Sequence, residues 1–259
     1  MKKLAIIAGA LVLAGAFTVP ASADTLFYFG HGGLNEGHTQ LAALYAQNDC
    51  GGQFVLNSDA TLPTLMGSDY NLVFISVPGL LSPTAYFSAA EKQDISDWLN
   101  DSGLHRLVLI GEWVDFYGDG SQVLIDLIND IGVGGMAFLP GGFDLGCYAY
   151  NCDGNLGVDP LVDGLDHVCK AATSVWDEGG GAPVAYPFEN PNDPWVISNG
   201  TDIPCLVALG DSNTLSDGCD HLSDPDTAEF ALRLCTINCS GDPVATESST
   251  WGRIKSVYR

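Results

Sequence analysis

The chain has 259 residues, with 32 acidic against 9 basic side chains and a formal charge of −23 at neutral pH, a balance that repels nucleic acid and anionic lipid and argues against both as partners. Its length suits one α/β domain, or at most two small ones, with a full hydrophobic core. The acidity fits a solvated surface, cation binding or a salty habitat.

Met1-Lys2-Lys3, an apolar run from Leu4 to Val19, and Pro20-Ala21-Ser22-Ala23 with its small residues form the three-part pattern of a signal peptide, with cleavage expected near Ala23. As a helix the apolar run reaches about 24 Å, short of the roughly 30 Å hydrocarbon core that an anchor must cross. No later stretch is apolar for long enough to predict a membrane span, so the protein is expected to be extracellular, periplasmic or attached to the cell surface. All eight cysteines, at positions 50, 147, 152, 169, 205, 219, 235 and 239, fall after this segment. Their even number in an oxidising compartment favours disulfides. Zinc sites need C-x-x-C or Cys/His pairs that this spacing lacks. Cys147 to Cys152 is a candidate local bridge; the remaining connectivity is not legible.

Next, Thr25-Leu26-Phe27-Tyr28-Phe29 predicts a buried strand stopping at Gly30-His31-Gly32-Gly33. Thr39 caps a short helix with Leu41, Leu44 and Tyr45 on one face. Phe54 to Leu56 and Asn71 to Val77 are further strands, the latter closed by Pro78-Gly79; such continuous apolar runs suit strands covered on both sides. Ser88 and Glu91 make a capping box for a helix that buries Ile95, Trp98 and Leu99 and ends at Gly103. Arg106 to Ile110 is a strand broken by Gly111-Glu112-Trp113, and Ser121 caps a helix with Val123, Leu124, Leu127, Ile128 and Ile131 inward, stopped by Gly132. Residues 134–200 read as long loops with short β segments near Leu161 to Cys169, Thr173 to Trp176 and Trp195 to Ile197. Pro204 to Leu209 restores a strand, running into Gly210-Asp211-Ser212-Asn213. A last helix starts near Asp226 as cap, with Glu229 at its third position and Phe230, Ala231 and Leu234 inward. Alternating strand and helix predict an α/β fold, flavodoxin-like or amidotransferase-like: a doubly wound, mainly parallel sheet with a loop-rich insertion. The domain expectation is a signal peptide over 1–23, the α/β domain over 24–240, and a polar linker with a basic, aromatic tail over 241–259.

The order of the pieces resembles the class I glutamine amidotransferase-like superfamily and its non-amidotransferase relatives. It is carried by Leu72 to Pro78, by the helix from Ser88 to Gly103 ahead of Leu107 to Gly111, by Asp159-Pro160-Leu161-Val162-Asp163-Gly164, and by Val207 to Ser212 ahead of a helix. The resemblance covers about Thr25 to Cys239. It implies a nucleophilic cysteine on the turn after Leu107 to Ile110, where this chain has Gly111-Glu112-Trp113, so glutaminase chemistry is not expected. Fold alone does not carry function.

Ligands of doubly wound sheets sit beyond the carboxyl ends of the strands. That rule selects His31, Glu112 and Asp211 as catalytic candidates for acid/base work or a hard cation. Gly32, Gly33, Ser76, Gly79, Trp113, Ser212 and Asn213 become candidate contacts for a small-molecule or glycan ligand. Turn residues of these types also commonly serve only their own backbone. Calcium is the one cofactor with candidate ligands, Asp153, Asn155, Asp159, Asp217 and Asp220, near Asp224 and Asp226, although no EF-hand pattern is present. Trp251, Arg253, Ile254 and Tyr258 belong to a tail that resembles short Trp- and Arg-containing tails of exported bacterial proteins, which implies a sorting or cell-surface partner. The leading expectation is a secreted, non-catalytic binding or surface-associated module. The alternative is an extracellular hydrolase built on His31, Glu112 and Asp211, with or without a metal.

Overall fold

In a computed structural model of the chain, the described residues are 24–33, 35–48, 50, 52–76, 87–101, 105–112, 114–131, 137–144, 147, 152–177, 182–188, 191–199 and 205–237. The expected signal peptide 1–23, Gly79, Trp113, the stops at Gly103 and Gly132, and the tail residues Trp251, Arg253, Ile254 and Tyr258 lie outside them.

The main sheet holds β1 (Asp24–Tyr28), β2 (Phe54–Asn57), β3 (Tyr70–Ser76), β4 (Arg106–Ile110), β9 (Ala182–Ala185), β10 (Val196–Ser198) and β11 (Cys205–Leu209). Their order is β2-β1-β3-β4-β11-β10-β9; the first five are parallel, and β10 runs antiparallel to both of its neighbours. The fold is therefore the predicted α/β class, a mostly parallel seven-stranded sheet. Two short antiparallel ribbons stand beside it, β5 (Ala137–Asp144) with β8 (Ala172–Asp177) and β6 (Cys152–Asp153) with β7 (Val168–Cys169).

Successive residues of the central strands enter opposite cores, which is why these strands read as unbroken apolar runs. Phe27, Phe74, Val108 and Val207 meet Leu41, Leu44 and Tyr45 of α1 (Thr39–Gln47) and Phe230 and Leu234 of α4 (Pro225–Thr236). Leu26, Val73, Leu107 and Leu206 meet Ile95 and Trp98 of α2 (Ala89–Asp101) and Leu124 and Leu127 of α3 (Val114–Asp130). Helices α1 and α4 thus cover one face and α2 and α3 the other.

The capping box of α2 forms as predicted: Ser88 N–H donates to Glu91 Oε2 at 2.7 Å and Glu91 N–H to Ser88 Oγ at 3.2 Å. Glu91 Oε1 also accepts Leu62 N–H at 2.8 Å and His31 Nε2–H at 3.2 Å, joining the turn after β1 to α2. Burial favours the neutral acid, but these hydrogen bonds outweigh it and hold the Glu91 carboxyl below its usual range.

Three helix starts differ from the sequence reading. Thr39 does not cap α1. Asp217, from a distant loop, accepts Thr39 N–H at 2.8 Å and Gln40 N–H at 2.9 Å, a partner that a local window cannot show. Ser121 is interior to α3, because the helix continues back to Val114 through Gly118 and Gly120, residues that locally disfavour it. Helix α4 is capped by Asp224, whose Oδ1 accepts Thr227 N–H at 2.8 Å, with Pro225 in the first turn; Asp226 lies inside. In the insertion, residues 160–164 form turns where a β segment is predicted; extended pieces do form near the other predicted segments, at Val168–Cys169, Ala172–Asp177 and Val196–Ser198, and the unpredicted ones are Ala137–Asp144, Cys152–Asp153 and Ala182–Ala185.

Disulfides join Cys50 to Cys235, Cys147 to Cys219, and Cys152 to Cys169. Cys205 is also disulfide-bonded, and among the described residues no cysteine is free. The expected Cys147–Cys152 bridge does not form: Cys152 faces Cys169 in the β6–β7 pairing, while Cys147 reaches the loop after β11. Bridges of this kind belong to an oxidising compartment.

The Cys50–Cys235 bond closes a separation of 185 residues and ties the segment after α1 to the end of α4. Replacing both cysteines with Ala should cost on the order of 2–5 kcal/mol in denaturant unfolding. Glu91→Gln should remove part of the acid sensitivity: a carboxyl lowered by folding stabilises above its unfolded pKa near 4.3 and loses that contribution as pH falls. Unfolding curves at pH 3.5 and 6 should therefore converge more in the variant than in the wild type.

Candidate functional site

The pairing of β4 with β11, from Arg106 opposite Cys205 to Ile110 opposite Leu209, sets Gly111-Glu112 beside Gly210-Asp211-Ser212. Gly111 N–H donates to Leu209 O at 2.7 Å, extending the ladder into the turn. From across the turn, Ser174 of β8 donates its hydroxyl to Glu112 O at 2.8 Å and its N–H to Gly210 O at 2.9 Å. Position 210 must be glycine, because a Cβ there would collide with the Ser174 carbonyl.

Two acids meet around one hydroxyl at this edge, with a third acid, Asp211, next to it in sequence. Ser212 Oγ is hydrogen-bonded to Glu112 Oε2 and lies 3.0 Å from Glu36 Oε2. Ser212 and Glu112 are buried, and Glu36 is half-buried. The hydroxyl has one proton to donate and two carboxylate oxygens competing for it. Asp211, fully buried, accepts Ala171 N–H through Oδ2 and Asn213 N–H through Oδ1 at 2.8 Å. Burial raises its pKa to about 6, with Glu36 adding in the same direction and the backbone donors opposing.

Glu112, Asp211, Ser212 and Asn213 are therefore brought together. His31 is placed two strands away, at the end of β1, with a left-handed φ of 54°. Its ring bonds Glu91 and packs edge-on to Tyr28 and Phe87, with centroids 5.8 and 5.0 Å away. Gly32 (φ 73°) and Gly33, whose N–H donates to Gly30 O at 2.9 Å, close that turn. Ser76 is buried at the end of β3, paired with Ile110.

The calcium candidates are spread through the fold. Asp159 is buried, accepting Leu161 N–H at 2.8 Å and Ser198 Oγ–H at 2.6 Å. Asn155 is exposed, and its carbonyl accepts Tyr186 N–H at 2.9 Å. Asp153 pairs with Val168 in β6, its side chain outside the description. Asp217 and Asp220 do lie together, both on Gln40, through its backbone N–H at 2.9 Å and its side-chain Nε2–H at 2.7 Å.

The sequence reading missed Glu36, which no local motif marks. It also missed His221, a buried histidine whose pKa is lowered chiefly by that burial, with Lys170 adding to the effect and the Asn213 backbone, Asp224 and Asp220 opposing it.

Among known structures, the chain is similar to the N-terminal domain of mmIFT52, with 14% identity over 79% of this chain and 96% of that one and a TM-score of 0.57, a likeness of fold alone. A ThuA-like protein from Parabacteroides merdae aligns with 12% identity over 88% of this chain and 94% of that one at a TM-score of 0.43, too distant to support further argument. No protein-family model and no curated protein sequence matches the chain.

Proposed function

We propose that the protein is an exported, amidotransferase-like α/β domain that has given up the family's nucleophile and serves as a binding module. Its ligand carries positive charge and docks over Glu36, Ser212 and Glu112. The observation that carries this reading is the single Ser212 hydroxyl shared by two carboxylates, an arrangement that favours a positively charged group beside it: a proton, a metal cation or an ammonium group. Glu112 occupies the turn where the family's cysteine is expected, and among the described residues every cysteine is in a disulfide. Among the described residues, this edge thus holds no thiolate nucleophile.

The hydrolase reading stands second, favoured by the pKa of about 6 at Asp211. Against it, Asp211 is fully buried with both oxygens engaged by backbone N–H groups, and His31 bonds Glu91.

The test is the thermal stability of the wild type and of Glu36→Gln in calcium, magnesium and ethanolamine titrations. A cation bound at 100 times its Kd stabilises the folded state by about 2.7 kcal/mol. The reading predicts that at least one probe does so in the wild type and that Glu36→Gln loses the shift. Equal responses of the two proteins to every probe would refute it. Turnover of an ester, amide or glycoside by the wild type but not by Glu112→Gln would install the hydrolase reading instead.

Asp211 provides a second measurement. A carboxyl raised by folding stabilises most below its unfolded pKa near 3.9, and that contribution is lost as pH rises through about 6. The Asp211 contribution should therefore decline from pH 4 to 6, against the rising contribution of the lowered carboxyls, and Asp211→Asn should remove that downward component while lowering stability by about 1–3 kcal/mol, since its amide cannot accept both backbone donors.

A further inference from the structure

Beside the start of α4, the sulfurs of Cys152 and Cys169, a ring nitrogen of His167 and a carboxylate oxygen of Asp224 all lie within 4.8 Å of one another. The sulfurs are joined as a disulfide across β6 and β7. A disulfide needs neither an imidazole nor a carboxylate, yet both are held against it. His167 Nε2–H donates to Asp224 Oδ2 at 2.9 Å, and His167 Nδ1 is 3.9 Å from Asp226 Oδ2. Asp224 uses its other oxygen, Oδ1, to cap α4, so Oδ2 can take a ligand without uncapping the helix. Asp226 Oδ2 accepts Asp166 N–H at 2.8 Å, which fixes the second carboxylate beside the imidazole.

We propose that the Cys152–Cys169 disulfide and a bound zinc ion are alternative staples for this corner. When the disulfide is reduced, the two thiolates, His167 and Asp224 form a four-coordinate zinc site. Two sulfurs, one nitrogen and one oxygen are a donor set that zinc accepts in tetrahedral geometry. Coordination through Nε2 leaves Nδ1 facing Asp226, the outer-shell carboxylate that orients a ligating imidazole. Cys169 is buried, whereas Cys152, His167 and Asp224 are partly exposed, so the ion has a route in.

The redox step balances with an external dithiol as reductant. Its thiolate attacks the half-buried Cys152 sulfur, the S–S bond breaks, and Cys169 leaves as thiolate. The reductant's second thiol then displaces Cys152 and carries away the two oxidising equivalents as its own disulfide. Cys169 leaves beside the first turn of α4, where its N–H donates to Thr227 Oγ1 at 2.9 Å and the helix N-terminus favours a thiolate. Zinc displaces the proton remaining on Cys152, and His167 binds through Nε2 as the neutral Nδ1–H tautomer, its proton on the nitrogen that faces Asp226. Either staple closes the same separation of 17 residues, so β6 stays on β7 in both states. The site uses none of the residues around Ser212 and stands independently of the function proposed above.

The test uses the full mature chain with zinc and cobalt as probes. Oxidised wild type should retain no zinc through desalting, while protein reduced anaerobically should retain one equivalent, resistant to a chromogenic chelator, and show sulfur-to-cobalt charge-transfer bands with cobalt. His167→Ala keeps every cysteine, so zinc held by thiols elsewhere would survive it; the proposal requires affinity to fall about 100-fold or more. Cys152→Ser needs no reductant and keeps the other bridges, and its freed Cys169, with His167 and Asp224, should give the cobalt bands in oxidising buffer. Equal zinc binding by the oxidised wild type, retention in reduced His167→Ala, or no metal in both the reduced wild type and Cys152→Ser would each overturn the proposal.

Discussion

The parallel pairing of β4 with β11 is the constraint on which the edge of the molecule depends. Between those strands the chain passes through α3, two ribbons and the β9–β10 extension, and then returns to lie beside β4 in register from Arg106 to Ile110. That return brings Glu112 and Ser212 into contact across 100 positions of sequence. At the opposite end of the same pair, the buried guanidinium of Arg106 donates to the carbonyls of Arg233, at 3.0 Å, and of Leu234. Those carbonyls belong to the last turn of α4, whose negative dipole end favours a cation. One strand pair thus anchors a helix at one end and assembles the acid cluster at the other.

The charge balance gives this fold a particular way of spending carboxylates. With few bases to pair with, they accept backbone N–H groups: Asp217 on α1, Asp224 on α4, Glu91 on α2 and at Leu62, Asp94 at Leu65 and Met66, and Asp211 at Ala171 and Asn213. Most of these acceptors join segments distant in sequence, so the acids work as tertiary ties. Hydrogen bonds hold Glu91, Asp217 and Asp224 below the ordinary carboxylate range against the opposing effect of burial. Their stabilisation is present above about pH 4 to 4.5, the usual unfolded pKa range, and lost in acid. Asp211 has the opposite sign, because complete burial outweighs its two donors.

How much was legible follows from the range of each interaction. The apolar strands and the α2 capping box are written within a few residues, and both appear where the sequence places them. The cap of α1 comes from Asp217, 178 positions from Thr39, and the partner of Cys152 is chosen by the β6–β7 register; neither leaves a local trace. The insertion was harder because its strands are two to eight residues long and depend on pairing partners more than on periodicity. Turn composition singled out Glu112, Asp211 and Ser212, since the ends of parallel strands are recognisable. Glu36 went unmarked because its role exists only through Ser212.

Those loops also cover part of the acid cluster. Ser174 and Ala171, both from the insertion, use their donors on the Glu112 carbonyl and the Asp211 carboxyl, covering the β4–β11 side of the cluster. Glu36 comes from the loop that precedes α1. Its neighbour Gly37 accepts Asp217 N–H at 2.9 Å through its carbonyl, so the acid that caps α1 also holds the Glu36 loop against Ser212. Of the three acids, Glu36 is the only one that is not buried. Under the binding reading proposed above, Glu36 is therefore the acid of this cluster that a cationic ligand would reach first.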